Sequence, residues 1–339
     1  MKLIYQLLAI SLFCFGLLAV PSYAQVQKTD TNASFRGLSV VSEKIVWASG
    51  TGGTVVRTID GGAHWDVFHV PDAQKLDFRD IEAFSADLAF ILSIGKGDAS
   101  RIYRTSNGGK TWGLLFTNRD PEAFFDAFAF WDQQNAIAIS DPVAGHFVVM
   151  TTTDGGRNWN RVPSTAIPPS REGEGAFAAS GTCIVTLGKR DAWFASGGSA
   201  SRVYHSSDKG KTWVVNDVPI VSGTAPAGIF SVAFSGPRNG AAVGGNYQEP
   251  ARSGKTLALT SDAGKTWTAL EDKLPFRSAV LFHKGAIIVA GTSGADISRD
   301  GGKTWKKLSE SNLNAIGAAG NLIWAAGPKG RIERYQFSR

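Results

Sequence analysis

Charged side chains recur at matching places along this chain, and their types suit either anion capture or glycoside hydrolysis. The stretches Phe35-Arg36-Gly37, Phe78-Arg79-Asp80, Phe124-Phe125-Asp126, Ile229-Phe230-Ser231 and Phe276-Arg277-Ser278 align with one another. Arg36, Arg79 and Arg277 then share one column, with Asp80, Asp126, Ser231 and Ser278 in the next. A guanidinium offers a planar fork of N–H donors that matches a carboxylate or phosphate. A pair of carboxyl groups facing each other across a cleft can act as acid and as base or nucleophile on a sugar. Asp80, Asp126 and Glu174 are the candidates for that second chemistry. Asp141 in Ser140-Asp141-Pro142, the pair Glu172 and Glu174 in Pro168 to Gly175, and Arg202 at a strand start join the candidate binding residues. An ion-pair network that only fills a channel would use the same residue types.

Six further acidic or amide positions have a different meaning. The phrase T-x-D-G-G-x-x-W at Thr58 to Trp65 returns at Ser106–Trp112, Thr153–Trp159, Ser207–Trp213, Ser261–Trp267 and Arg299–Trp305. Asp60, Asn107, Asp154, Asp208, Asp262 and Asp300 sit at its third position. Glycines such as Gly62 and Gly156 permit the positive φ of a tight reversal, and an Asp or Asn ahead of them accepts turn N–H bonds. The closing Trp offers a large apolar face for packing between sheets. These carboxylates are therefore expected to staple hairpins and not to react.

These positions need a scaffold, and the repeat supplies it. The box tryptophans recur at intervals of 38 to 54 residues (305−267 and 213−159). A period of that size marks one small β-sheet per repeat, and such sheets stack in a ring or array. Seven apolar segments open the units: 35–41, 78–84, 124–130, 176–180, 229–234, 276–282 and 313–318. Second, third and fourth strands follow, with the box between the last two. Short apolar strands and abundant glycine indicate an all-β chain. The seventh unit, residues 312–337, has only three strands. The segment from Val26 to Ser34 is expected to supply the fourth and close a seven-bladed β-propeller, which removes the exposed sheet edges. In such a blade the start of the first strand and the second-to-third loop share one face, opposite the boxes. That face is the candidate site, at the mouth of the central channel.

The ends and the composition bound the setting. Met1-Lys2, an apolar run from Leu3 to Val20 and Pro21-Ser22-Tyr23-Ala24 read as a secretory signal, with the cut after Ala24. Residues 25–339 then form one propeller domain in a periplasmic or extracellular setting. Its only cysteine is Cys183, so no internal disulfide forms in the mature chain. No later segment is long and apolar enough to span a membrane. The net charge of +6 is spread without a Lys/Arg run, which suits an acidic protein surface or anionic ligand and disfavours nucleic acid. Gly173-Glu174-Gly175-Ala176-Phe177-Ala178 matches a dinucleotide fingerprint, but the expected strand and helix around it are missing. The five histidines show no metal-ligand spacing, and no nucleophile motif is present. The expectation is a monomer without metal or cofactor.

The hairpin phrase is that of the Asp-box, or BNR, repeats of sialidases and many other propellers. The Arg-Ile-Pro motif of sialidases is absent, and their arginine triad and tyrosine–glutamate pair find no counterpart. The mature chain resembles the photosystem II stability/assembly factor family, on its Asp boxes, strand starts such as Phe78-Arg79-Asp80, and the closing 321–327 stretch with Gly330-Arg331. It looks closer still to a bacterial branch, on the 173–182, 228–234 and 244–247 stretches. The resemblance implies a seven-bladed propeller that binds a protein client through a basic patch and catalyses nothing. A glycan hydrolase using Asp80, Asp126 or Glu174 is the alternative.

Overall fold

The structure, a computed structural model, describes residues 24–337. The signal segment expected over residues 1–24 lies outside the described residues, apart from Ala24. Seven antiparallel sheets follow one another in chain order. The innermost strands are Phe35–Val40, Phe78–Ala83, Phe125–Phe130, Ile184–Leu187, Ala227–Phe234, Ala279–His283 and Ala315–Ala319, in blades one to seven. Burial follows position in the blade. The innermost strand Phe35–Val40 alternates between buried and half-buried side chains with the period of two of a strand, whereas Phe125–Phe130 and Ala227–Phe234 are buried almost throughout. Second strands such as Val46–Gly50 and Ala89–Ser93 are buried along their whole length, sandwiched between two sheets. Fourth strands such as Asp66–His69 turn charged ends to solvent.

The ring closes as the three-strand seventh unit requires. Gln25–Gln27 pairs antiparallel with Ile332–Arg334 and forms the outer strand of blade seven. The closing strand is three residues long, shorter than the expected Val26-to-Ser34 segment. Strand ends elsewhere fall within three residues of expectation, with one exception. Ala176–Ser180 is no strand. Blade four opens at Ile184–Leu187 instead, and residues 176–182 run across the channel mouth. Glycines flank the displaced segment: Gly173 and Gly175 precede it and Gly181 follows it, with Gly173 and Gly181 turning the chain at positive φ.

The Asp boxes are uniform turns. Thr152 Oγ1 donates to Asp154 Oδ1 at 2.9 Å and accepts from the Gly156 N–H at 3.0 Å. Asp154 Oδ1 also accepts from the Asn158 N–H at 3.0 Å. The same three bonds recur at Ser298, Asp300, Gly302 and Thr304. The hydroxyl two residues ahead of the Asp, the first letter of the phrase at Thr58, is present in all six boxes as Thr58, Thr105, Thr152, Ser206, Thr260 and Ser298.

Candidate functional site

The channel mouth is shaped by bulges. The pairing register shifts between Phe35 and Gly37, Phe78 and Asp80, Phe125 and Ala127, and Ile229 and Ser231. Each shift leaves one extra residue, and a bulge re-aims the side chain it carries. Those residues are Arg36, Arg79, Asp126 and Phe230. With Ser278 and Asn314 of the next two blades they line a cavity of about 430 Å³. Residues 176–179 of the crossing segment form another part of its wall.

Four sequence positions change place in this geometry. Asp126 belongs in the column of Arg36 and Arg79, because Phe125, not Phe124, is the buried anchor matching Phe35 and Phe78. Arg277 leaves that column. Its backbone N–H bonds Gly244 O as that of Phe35 bonds Gly327 O, so it takes the anchor position between blades. It is 1% exposed and ion-paired with Asp296, with its Nε 3.1 Å from Asp296 Oδ2 and Nη1 bonding Phe276 O and Ser293 Oγ. Glu174 and Arg202 also lie away from the cavity. Glu174 accepts from Arg202, Ser196, Tyr204 and the Arg171 N–H, inside a buried cluster. Burial of a charge demands such pairing, and here it ties down the stem of the crossing segment.

The other predicted residues divide similarly. Asp80 is buried below the segment, accepts from the Phe128 N–H at 2.8 Å and links blades two and three. Burial pushes its carboxyl well above the usual range. Ser231 is fully buried, holding Thr182 Oγ1 at 2.6 Å and the Val280 N–H at 3.0 Å. Ser278 donates to Asn314 O. Glu172 is exposed and lines a neighbouring depression together with Asp141. Asp141 borders both hollows and accepts from the Ala176 N–H at 2.8 Å. Of the carboxyl trio considered for hydrolysis, only Asp126 reaches the cavity.

Arg36 and Arg79 hold the crossing segment by successive carbonyls. Arg79 Nη1 donates to Ala178 O at 3.1 Å and Arg36 Nη1 to Ala179 O at 3.2 Å. Arg79 Nε also pairs with Asp77 at 2.7 Å. Among the described residues Arg36 has no carboxylate within ion-pair distance. Burial, followed by repulsion from Arg79, lowers its pKa to about 10, so it remains cationic at neutral pH. Burial and the neighbouring Asp141 push the Asp126 carboxyl upward, and burial raises Asp141 as well. Both shifts favour neutral acids beside the arginines.

The opposite wall is aromatic and was missed in the repeat. Phe177 stacks on Phe230 with ring centres 3.8 Å apart, and Phe276 meets Phe230 edge-on at 4.8 Å. Tyr247, 48% exposed, stands at the entrance. Phe177 fits because Gly197 and Gly228 lack side chains; a Cβ on either would meet its ring. The G-G pair Gly197-Gly198 was the available signal, as a site of close approach.

A family profile of the BNR/Asp-box repeat matches residues 296–307. No curated protein matches in sequence. The solved structure of YCF48 bound to a D1 peptide superposes with a TM-score of 0.66 at 18% identity, covering 95% of this chain and 97% of that one. YCF48 from Cyanidioschyzon merolae gives 0.62 at 16%, covering 93% and 99%. The WD40 β-propeller domain of Doa1 gives 0.61 at 13%, covering 94% and 97%. These likenesses establish the seven-bladed propeller fold.

Proposed function

We propose that this propeller is an exported, non-enzymatic protein-binding factor that engages an anionic part of its client at the channel mouth. The observation carrying this reading is Arg36: a cationic guanidinium on a cavity wall, beside Arg79, without a carboxylate of its own. A client carboxylate would relieve the repulsion between the two arginines and occupy their remaining donors. A similar fold, YCF48, has been solved with a D1 peptide bound, which supports a peptide-binding role for the scaffold. Export is supported by the signal-type residues 1–24. A cut after Ala24 would leave the closing strand Gln25–Gln27 whole.

The test is crosslinked capture from the envelope fraction with wild type and with an Arg36→Glu/Arg79→Gln variant, at low and high salt. The reading expects clients captured by wild type to be lost from the variant and weakened by salt. Arg277 has no place in this test, because its reversal would break a buried pair. Equal capture by the variant would overturn the reading.

A further inference from the structure

The cavity combines two surfaces that no single simple ligand group satisfies. One corner is cationic. Arg36 has five N–H donors, and one of them is used, on Ala179 O. Arg79 adds a second guanidinium whose charge is already met by Asp77. The corner therefore offers one net positive charge in a donor fork suited to one carboxylate. The facing wall is the aromatic group of Phe177, Phe230 and Phe276, with Tyr247 at the entrance. Apolar surface of this kind favours a flat apolar group that displaces water.

A second observation points inward. Asp126 is 1% exposed, lines the cavity, and its Oδ2 is buried without a partner. Thr292 Oγ1, of another residue lining the cavity, is also buried and unpartnered. Buried polar atoms left unpaired are costly, so a ligand that supplies partners gains from both. A volume of about 430 Å³ lies within the range of small-molecule sites.

We infer that this cavity is a binding site for a carboxylate carried within a few bonds of an aromatic ring, the ring against Phe177, Phe230 and Tyr247 and the carboxylate on Arg36. Such a group is found at the end of a protein chain with an aromatic last residue and in free aromatic acids. The inference rests on the proposed client-binding reading of the same site and names the part of the partner that enters it. A bare small anion leaves the aromatic wall wet. An uncharged aromatic group desolvates Arg36 without repaying the loss. A doubly charged phosphate meets only the one net positive charge of the corner.

The test titrates the purified chain with N-acetyl-phenylalanine, its carboxamide, acetate, and a ten-residue peptide ending in phenylalanine, with a free or amidated end. The expected result is saturable binding of N-acetyl-phenylalanine, at least about tenfold weaker binding of the carboxamide, and no saturation by acetate. Arg36→Gln should weaken the acid at least about tenfold while the melting curve keeps its midpoint. Tyr247→Ala, at a half-exposed position, should weaken acid and carboxamide alike through lost stacking. Tighter binding of the free-end peptide than of the free acid would assign the site to a chain end. Weaker binding of the free-end peptide than of the free acid would assign it to free acids. Equal affinity for acid and carboxamide, or an Arg36→Gln protein that binds like wild type, overturns the inference. If a client is captured in an Arg36-dependent, salt-sensitive way and neither aromatic acid competes, the inference fails and the client-binding reading stands. If the acids bind and no Arg36-dependent client is captured, the reverse holds.

Discussion

Replacing Glu174 by glutamine separates an anchor from a reacting acid. The Glu174 side chain is fully buried and that of its partner Arg202 is 8% exposed. Its carboxylate accepts from Arg202 Nε at 3.0 Å, from the Arg171 N–H at 2.8 Å, and from the Ser196 and Tyr204 hydroxyls. Glutamine keeps the shape and one acceptor oxygen but removes the charge and turns an NH₂ group toward donors. Removing one partner of a buried pair costs about 3–5 kcal/mol. With one acceptor retained, the lower end, about 3 kcal/mol, is expected. At roughly 2 °C per kcal/mol for a domain of this size, the melting midpoint should fall by about 6 °C in calorimetry. Adding Arg202→Met, which removes the stranded cation and fills its space, should recover part of the loss, leaving a clear coupling energy in the double-mutant cycle. The same loosening should free the crossing segment, because Glu174–Gly175 pairs with Gly197–Gly198 just before it. A hydrolytic acid predicts the opposite pattern, a native melt with lost turnover. A Glu174→Gln midpoint within about 1 °C of wild type would refute the anchoring argument.

Two other perturbations probe the channel and the turns. Burial pushes Glu82 from 4.5 up to about 7. Between those values the folded chain keeps a proton that the unfolded chain has released, so stability should fall as pH rises from about 4.5 to about 7. Glu82→Gln should remove that part of the slope in denaturant titrations at pH 5 and pH 7, and an identical change in both proteins would count against it. At Asp154 the sign reverses. Bonds from Asn158 hold its carboxyl down at about 2, so its contribution is present above the ordinary carboxylate range and is lost as pH falls through about 2. Asp154→Ala should lower the melting midpoint and leave N-acetyl-phenylalanine affinity unchanged; a native midpoint with lost binding would contradict its structural role.

The ring was legible because its signal is local and repeated. Each box carries its own turn chemistry, and the three-strand seventh unit implied closure by the N-terminal segment around Val26 to Ser34, of which the structure uses Gln25–Gln27. The site was less legible because it depends on register. Arg36, Arg79 and Asp126 share a column only through bulges, which sequence alignment of strand starts does not display. In blade three the repetition Phe124-Phe125 hid which phenylalanine is the anchor, and the choice moved Asp126 by one place. In blade six an arginine occupies the anchor position, so Arg277 looked like a mouth residue while its true partner, Asp296, lies two strands away in the same blade. Glu174 and Arg202 were both noticed, yet nothing in their separate stretches shows that they bond each other.

The crossing segment is where repeat and site meet. Six blades bring an inner-strand start to the mouth; blade four brings residues 176–182 instead, and these touch blades one, two, five and six. Arg36 and Arg79 hold its carbonyls, Ser180 Oγ bonds Ser278 O, and Thr182 Oγ1 meets Ser231. Gly181 permits the turn at φ +74, packed so closely on Asp80 that any side chain would collide with the carboxylate. A strand start in that place would leave the channel open and the arginines facing water. The segment instead floors the cavity, spends one N–H of Arg36 on its backbone, and presents Phe177 to the aromatic wall. The residues that break the repeat are thus the ones that turn a structural channel into a shaped and partly charged pocket, and this is why departures from the repeat, more than its signature carboxylates, mark the site.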